Sequence, residues 1–333
     1  MLALLLLSQS FAGGHHVIRS GESISSVAAG LGISEPTLRE LNNLIPGVEP
    51  SVGTVLLLPA TEQLQGEKAQ VLSVTGSGRI TQPSGEEIPL SCGTWLEPGT
   101  TICTSVESFA TIRLAEDTAG EIFDDLQLSS SSCVTIVSSA VNTEGRSSLL
   151  NISEGSISVS ASEKDNGVVT VQTTSSLTSG TQGAFRITIE EDSARTEALE
   201  EAVVSVFAEG VEVALTAQQG TRAELGEAPI SPVNLLDTGF LIRPESDAVL
   251  LRPDFTWTPV ERALGYRVQI SSTPDFARIL HQEDTAYPEW RPDFLLLPVD
   301  VSALWWRVTS FDRLGFESPP SSPRRLQLPV VIR

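Results

Sequence analysis

From Gln70 to about Ala228 the apolar residues of this chain fall on alternate positions, and that habit excludes most folds. Phe185, Ile187 and Ile189 alternate with Arg186 and Thr188; Val204 and Val206 lead into Gly210, and Val211, Val213 and Leu215 repeat the pattern. A period of two sends successive side chains to opposite faces, so each run reads as a strand with one apolar face. Ser and Thr crowd Ser129 to Thr181, yet Val134, Ile136, Leu149, Ile152, Ile157 and Val159 keep strand spacing there. The stretch therefore reads as β-structure rather than as a low-complexity segment. Short strands at close intervals, cut by glycine turns, predict an all-β sandwich or solenoid-like roll.

The first sixty residues follow a different rule. Two short β-prone runs, His16 to Arg19 and Val55 to Leu58, enclose two helical patterns. In the first, Ile24, Val27, Ala28 and Leu31 recur at i, i+3, i+4, i+7, with Ser23 placed to cap the start and Gly30 and Gly32 to end it. In the second, Ser34 is the N-cap, Pro36 stands in the first turn where its missing N–H costs little, and Leu38 and Leu41 face inward. A β-α-α-β unit this small has a thin core, so it is expected to bind ligands in surface grooves rather than deep pockets.

These residues resemble a LysM domain, through the strand followed by SGES, then SSVAAGLGIS, the LNNL of Leu41 to Leu44, and the closing Gly53 and LLLP. The resemblance implies binding to N-acetylglucosamine glycans such as peptidoglycan. It places the groove between the loop after the first strand and the loop after the second helix: Gly21, Glu22, Ser23 and Ile24 on one side, and Asn43, Leu44, Ile45 and Pro46 on the other. Backbone amides and a few polar groups would hold the N-acetyl amide, while apolar side chains cover its methyl. The loop Pro46 to Val52 departs from the family by carrying Glu49 and two prolines.

With 333 residues and 40% hydrophobic content the chain is long enough for two or three cores. Its formal net charge of −21 argues against nucleic acid and against an anionic membrane surface, both of which need basic patches. Residues 1–12 read as a signal peptide: Leu2 to Leu7 is apolar but far shorter than the ~20 residues of a spanning helix, and Ser10 and Ala12 form a small-x-small site before Gly13. The expected location is periplasmic or secreted, with no transmembrane segment in the mature chain.

Polar residues 61–69 read as a linker after the unit at 15–60. The alternating region, 70–228, resembles a FecR domain through GSGRI, TWLEPGTTICT, SVESFATIRLAED, LLNISEGSISV and VVSVFAEGVEVALTAQQGTRAEL. These motifs are turns and strand patterns, so the resemblance implies a fold more than an activity. Its cysteines, Cys92, Cys103 and Cys133, predict one disulfide and one leftover thiol in an oxidising compartment, and spacing does not select the pair. After a proline-bearing linker at 229–238, residues 239–333 carry F-x-W-x-P, A-L-G-Y-x-V-Q-I and W-x-V-x-x-x-D-x-x-G. They resemble a fibronectin type III or Ig-like β-sandwich in which Trp257 and Tyr266 pack the core.

The sequence offers little for catalysis. Histidine occurs only as His15, His16 and His281, and no H-E-x-x-H, G-x-S-x-G or P-loop pattern is present. Adjacent acids such as Asp124–Asp125 and Glu190–Glu191 would point to opposite faces of a strand. The reading is therefore a multidomain, mainly β, exported protein without cofactor, metal or enzymatic activity. It binds peptidoglycan, and its two β domains offer surfaces to an envelope protein partner. The alternative is an envelope signalling component acting through the FecR-like region.

Overall fold

The computed structural model describes residues 15–30, 33–59, 65–66, 69–114, 123–142, 145–162, 164, 167–249, 254–293, 295, 301 and 303–328. The expected signal peptide at 1–12, Leu31 and Gly32 of the first helical pattern, and much of the 61–69 linker lie outside these residues. The architecture is multidomain and mainly β, with two short helices among the described residues. Neither is long and apolar enough to cross a membrane.

The N-terminal unit pairs strand β1 (His15–Val17) antiparallel with β2 (Val55–Leu57), and helices α1 (Ile24–Gly30) and α2 (Glu35–Leu41) lie between them in sequence. Both predicted caps form. Ser23 Oγ accepts the Ser26 amide at 3.1 Å while Ser26 Oγ accepts the Ser23 amide at 2.9 Å, and Ser34 Oγ accepts the Thr37 amide at 3.2 Å. Ile18, Ile24, Val27, Leu38 and Leu56 close a small core, with Leu44 packed at its edge.

The middle unit is two sheets wrapped around one core. One sheet, antiparallel throughout, places Phe109–Leu114 beside Asp124–Leu128, then Ser156–Ala161, the second half of Leu177–Glu190, Ser193–Ala198 and Gln219–Glu224. The other runs from Gly78–Thr81 through Thr100–Thr104, Cys133–Asn142, Gly145–Glu154 and Val168–Gln172 to the first half of Leu177–Glu190 and Val203–Ala208. Leu177–Glu190 belongs to both sheets and bends between them at a bulge near Gly180 to Gln182. Gly183 follows the bend at φ +71°, where a Cβ would come within 2.5 Å of the Glu200 carbonyl, so only glycine fits. Ile112, Leu126, Val159, Phe185 and Ile187 from one sheet meet Val134, Ile136, Leu150, Val171 and Val204 from the other. The alternation read from the sequence is the inward phase of these strands.

The two stretches read as linkers carry structure. Gln65–Gly66 pairs with Ala140 and Val141, and Val233–Asn234 pairs with Gln219 and Gly220, with Leu235 and Leu236 buried just beyond. Two-residue strands show no periodicity, which is why polar composition decided the reading of the first stretch and prolines that of the second.

In the C-terminal unit a three-stranded sheet (Leu241–Arg243, Phe255–Trp257, Glu289–Trp290) packs on a four-stranded one (Ile279–Thr285, Gly265–Ser271, Ala303–Phe311, Arg324–Gln327). Trp257 and Tyr266 are core, as expected, joined edge to face with Trp306 alongside. Trp290 stacks on Phe255 and on His281 rather than standing clear of the surface.

The units are docked onto one another. His15 is buried against the middle unit, with Nε2 2.7 Å from Thr170 Oγ1 and Nδ1 3.1 Å from Ser147 Oγ. On the far side Phe276 enters a cluster with Phe109, Ile279 and Trp305, while Gln127 Nε2 and Thr111 Oγ1 donate to the carbonyls of Phe276 and Ala277. A second C-terminal contact seats Phe316 against Leu199 and Leu235.

Candidate functional site

The groove walls are built from loops whose conformation the sequence dictates. After β1 the chain turns at Gly21, φ +85°, and the Glu22 carboxylate folds back to accept the Arg19 amide and His16 Nε2, both at 2.8 Å. The Arg19 amide is the main reason that the Glu22 carboxyl titrates below its usual range, so it is a fixed anion of the turn. Ser23 is spent on the cap described above. Ile24 is wholly in the core, with no exposed surface.

On the opposite wall α2 ends at Leu41. Asn42 spends its amide on structure: its Nδ2 donates to the Leu38 and Leu57 carbonyls and its Oδ1 accepts the Leu57 amide at 2.6 Å, tying helix to strand. Asn43 then takes a left-handed φ of +53°, which asparagine tolerates better than most residues. Leu44 turns toward the core, while Ile45 is 69% exposed and Pro46 and Val48 are exposed beside it. Of the eight residues predicted from sequence, Gly21, Asn43, Ile45 and Pro46 thus present open surface. Glu22 and Ser23 are half-buried and engaged within their own loop, Leu44 is partly core, and Ile24 is wholly core.

A chain of contacts that sequence reasoning missed joins the two walls. Buried Arg39 on α2 meets Glu35 one turn back at 2.8 Å, donates to the Val48 carbonyl at 2.7 Å, and meets Glu49 Oε1 at 2.8 Å. The other Glu49 oxygen accepts the Ile24 amide, at the N-terminus of α1, at 2.9 Å. The i, i+4 spacing of Glu35 and Arg39 was the visible signal. The trough between the two loops has the apolar side chains of Ile45, Pro46 and Val48 exposed on one wall and Gly21 exposed on the other. It suits a neutral ligand that combines an amide with small apolar groups.

Residues 16–59 match the LysM domain family. This segment is a LysM domain. A LysM domain implies binding to peptidoglycan or another N-acetylglucosamine glycan, and the family is typical of extracellular and cell-envelope proteins. No curated protein matches the chain. Among solved structures, two of a "putative anti-sigma factor" from Parabacteroides distasonis ATCC 8503 are similar at 13% and 14% identity, each with a TM-score of 0.32. Each match covers 40% of this chain and 59% of that one. A beta-1,2-glucanase from Parabacteroides distasonis is similar at 11% identity and a TM-score of 0.23, covering 81% of this chain and 38% of the enzyme. Likenesses this distant carry no argument about the role of this chain.

Proposed function

We propose that this is an exported, non-catalytic protein of the cell envelope that binds peptidoglycan through its LysM domain, using the trough between Gly21–Ile24 and Asn43–Pro46. The observation that carries the reading is the LysM match at residues 16–59, supported by a trough whose exposed wall residues, Ile45 and Pro46, are apolar. The middle unit is read as FecR-like and the C-terminal unit as fibronectin type III-like, both serving as interaction or scaffold modules for an envelope partner. The placement of the histidines supports a non-catalytic role: His15 is locked in a domain joint, His16 is bonded to Glu22, and His281 is stacked on Trp290.

Co-sedimentation with purified peptidoglycan at two salt concentrations tests the reading. The full chain should pellet at both, because the contacts are not ionic, and Ile45→Asp should remain in the supernatant. If the unaltered chain stays in solution at both salt concentrations, wall binding through the LysM domain is refuted.

A further inference from the structure

The last hairpin of the middle unit leaves one strand edge open. Val211–Leu215 pairs antiparallel with Val203–Ala208 and, among the described residues, with nothing on its other side. The hairpin turns through Glu209 at φ +47° and Gly210 at φ +77°, with Ala208 opposite Val211, which is a two-residue type I′ turn. In such a hairpin the residues flanking the turn exchange both main-chain hydrogen bonds, and bonded and non-bonded pairs alternate from there. Val211, Val213 and Leu215 therefore bond to the neighbouring strand, while the N–H and C=O groups of Glu212 and Ala214 point out from the edge. Both of these residues are exposed.

Sheet edges are usually blunted by short length, proline, lysine or a bulge. Other outer strands of this unit follow that rule: Glu87–Pro89 ends in proline, and Trp95–Leu96 and Val233–Asn234 are two residues long. Val211–Leu215 has five residues, with no proline, lysine or bulge. Its side chains already fit a further strand. Leu215 is buried and Val213 packs on the core, so these two and Val211 form the inward phase, while Glu212 and Ala214 face outward. A strand laid along this edge would place apolar side chains beside Val211 and Val213 and its alternate residues beside Glu212.

Charge selects the occupant. From Thr196 to Thr221 the chain has no Lys or Arg, and Glu200, Glu201, Glu209 and Glu212 are all exposed there. A second copy would bring the same acids to the edge, on a chain whose net charge is −21. A basic strand would meet them with opposite charge. We propose that Val211–Leu215 is a docking edge for an extended basic segment of a partner protein, in which apolar residues alternate with Lys or Arg and which adds to the sheet as a further strand. This rests on the reading of the middle unit as an interaction module and names the partner's chemistry. The LysM domain sits on the same hairpin: Gly53 lies so close to Phe207, the register partner of Glu212, that a Cβ there would overlap the ring. A partner docked here is held beside the glycan-binding domain.

Fluorescence anisotropy of a short labelled peptide of alternating lysine and valine, titrated with the full chain, tests this. The peptide should bind, and hydrogen exchange at the Glu212 and Ala214 amides should slow roughly tenfold in its presence. Glu212→Lys should weaken binding about fivefold, the worth of a cross-strand charge pair. Ala214→Pro removes an outward N–H and no bond to Val203–Ala208, so the hairpin should survive and binding should be lost. Two further peptides, N-methylated on every lysine or on every valine, leave the protein untouched; one should bind and the other not, because a single set of alternate amides faces the sheet. Equal binding by both methylated peptides overturns strand addition. If a glutamate–valine peptide binds as tightly as the basic one, the partner chemistry is overturned while the interaction-module reading stands. If no peptide binds, both fall on this face, and wall binding, tested by co-sedimentation, is unaffected. A dimer of the unaltered chain in sedimentation, dissolved by Ala214→Pro, would give the edge to a second copy and overturn the proposal.

Discussion

The Glu49 carboxylate accepts the Ile24 amide at 2.9 Å with one oxygen and meets Arg39 at 2.8 Å with the other. A single loop side chain thus caps the first helix of the LysM domain and pins the opposite wall of its trough. Loss of a cap of this kind costs about 1 kcal/mol, and the half-exposed ion pair adds little of its own. In Glu49→Ala the Ile24 amide should exchange with deuterium roughly five- to tenfold faster, and glycan binding should weaken as the 45–49 loop loosens. Unchanged exchange at Ile24 would show that the contact is not formed in solution.

His15 should make the stability of the LysM joint depend on pH. Burial, with a smaller push from His16, lowers its pKa from 6.5 to about 4, so in the folded protein it stays neutral between the Thr170 and Ser147 hydroxyls. Between pH 4 and 6.5 the unfolded chain binds a proton here that the folded chain does not, so this contribution to stability rises with pH through that window and is level above it. The difference in unfolding free energy between the unaltered chain and His15→Gln should grow from pH 4 to 6.5. Parallel curves across that range would show that the imidazole is not held neutral in the joint.

The sequence told which residues face inward far better than it told which polar residues are covered. Phe185, Ile187, Val204 and Val206 are core because alternation has one common cause, a sheet with a dry face. The same rule assigns Arg186 and Glu197 to solvent, yet both are buried, because the C-terminal unit lies on that face. Nothing local in either strand records a domain that arrives more than a hundred residues later. In the trough, Ile24 fitted both the helix core and the family's groove, and only the fold shows that it is wholly buried in the first, with its amide taken by Glu49. Glu49 stood out in its loop, but its contact went unread for a related reason: its partner Ile24 lies 25 positions away, beyond any helical or strand period.

The disulfide pair left open by spacing is resolved by register. Cys103 and Cys133 stand directly opposite each other on neighbouring strands and are bonded, while Cys92 is a free, exposed thiol. The bridge links residues 30 apart, and the chain-entropy account puts its contribution at about 3–4 kcal/mol. Native oxidised protein should therefore take one maleimide, at Cys92, and three after reduction and unfolding. Cys103→Ser with Cys133→Ser should lower the denaturation midpoint of the middle unit. Two native adducts on oxidised protein would contradict the pairing.

The buried charges between the middle and C-terminal units predict a second, opposite pH effect. Glu317 meets Arg186 at 3.0 Å and also bonds Arg267, and its amide donates to Glu197 Oε1 at 3.3 Å. Glu197 is wholly buried, and burial, reinforced by the Glu317 charge, pushes its pKa up from 4.5 to about 7 against the pull of Arg186 and Arg195. Burial works the same way on Glu317, but Arg186 and Arg267 outweigh it and hold that carboxyl below 4.5. Between pH 4.5 and 7 the folded chain keeps a proton on Glu197 that the unfolded chain has released, so stability falls as pH rises through that window. Glu317 adds stability above its unfolded pKa and loses it only as pH drops through its lowered folded value, so it does not offset the fall. Glu197→Gln keeps an acceptor for the Glu317 amide and removes the titration. The variant should be the more stable protein at pH 7, by on the order of 3 kcal/mol at most, and the gap should close toward pH 4.5. A gap that stays constant from pH 4.5 to 7, by denaturant unfolding, would mean that Glu197 is already ionised at the interface and that the arginines, not burial, set its charge.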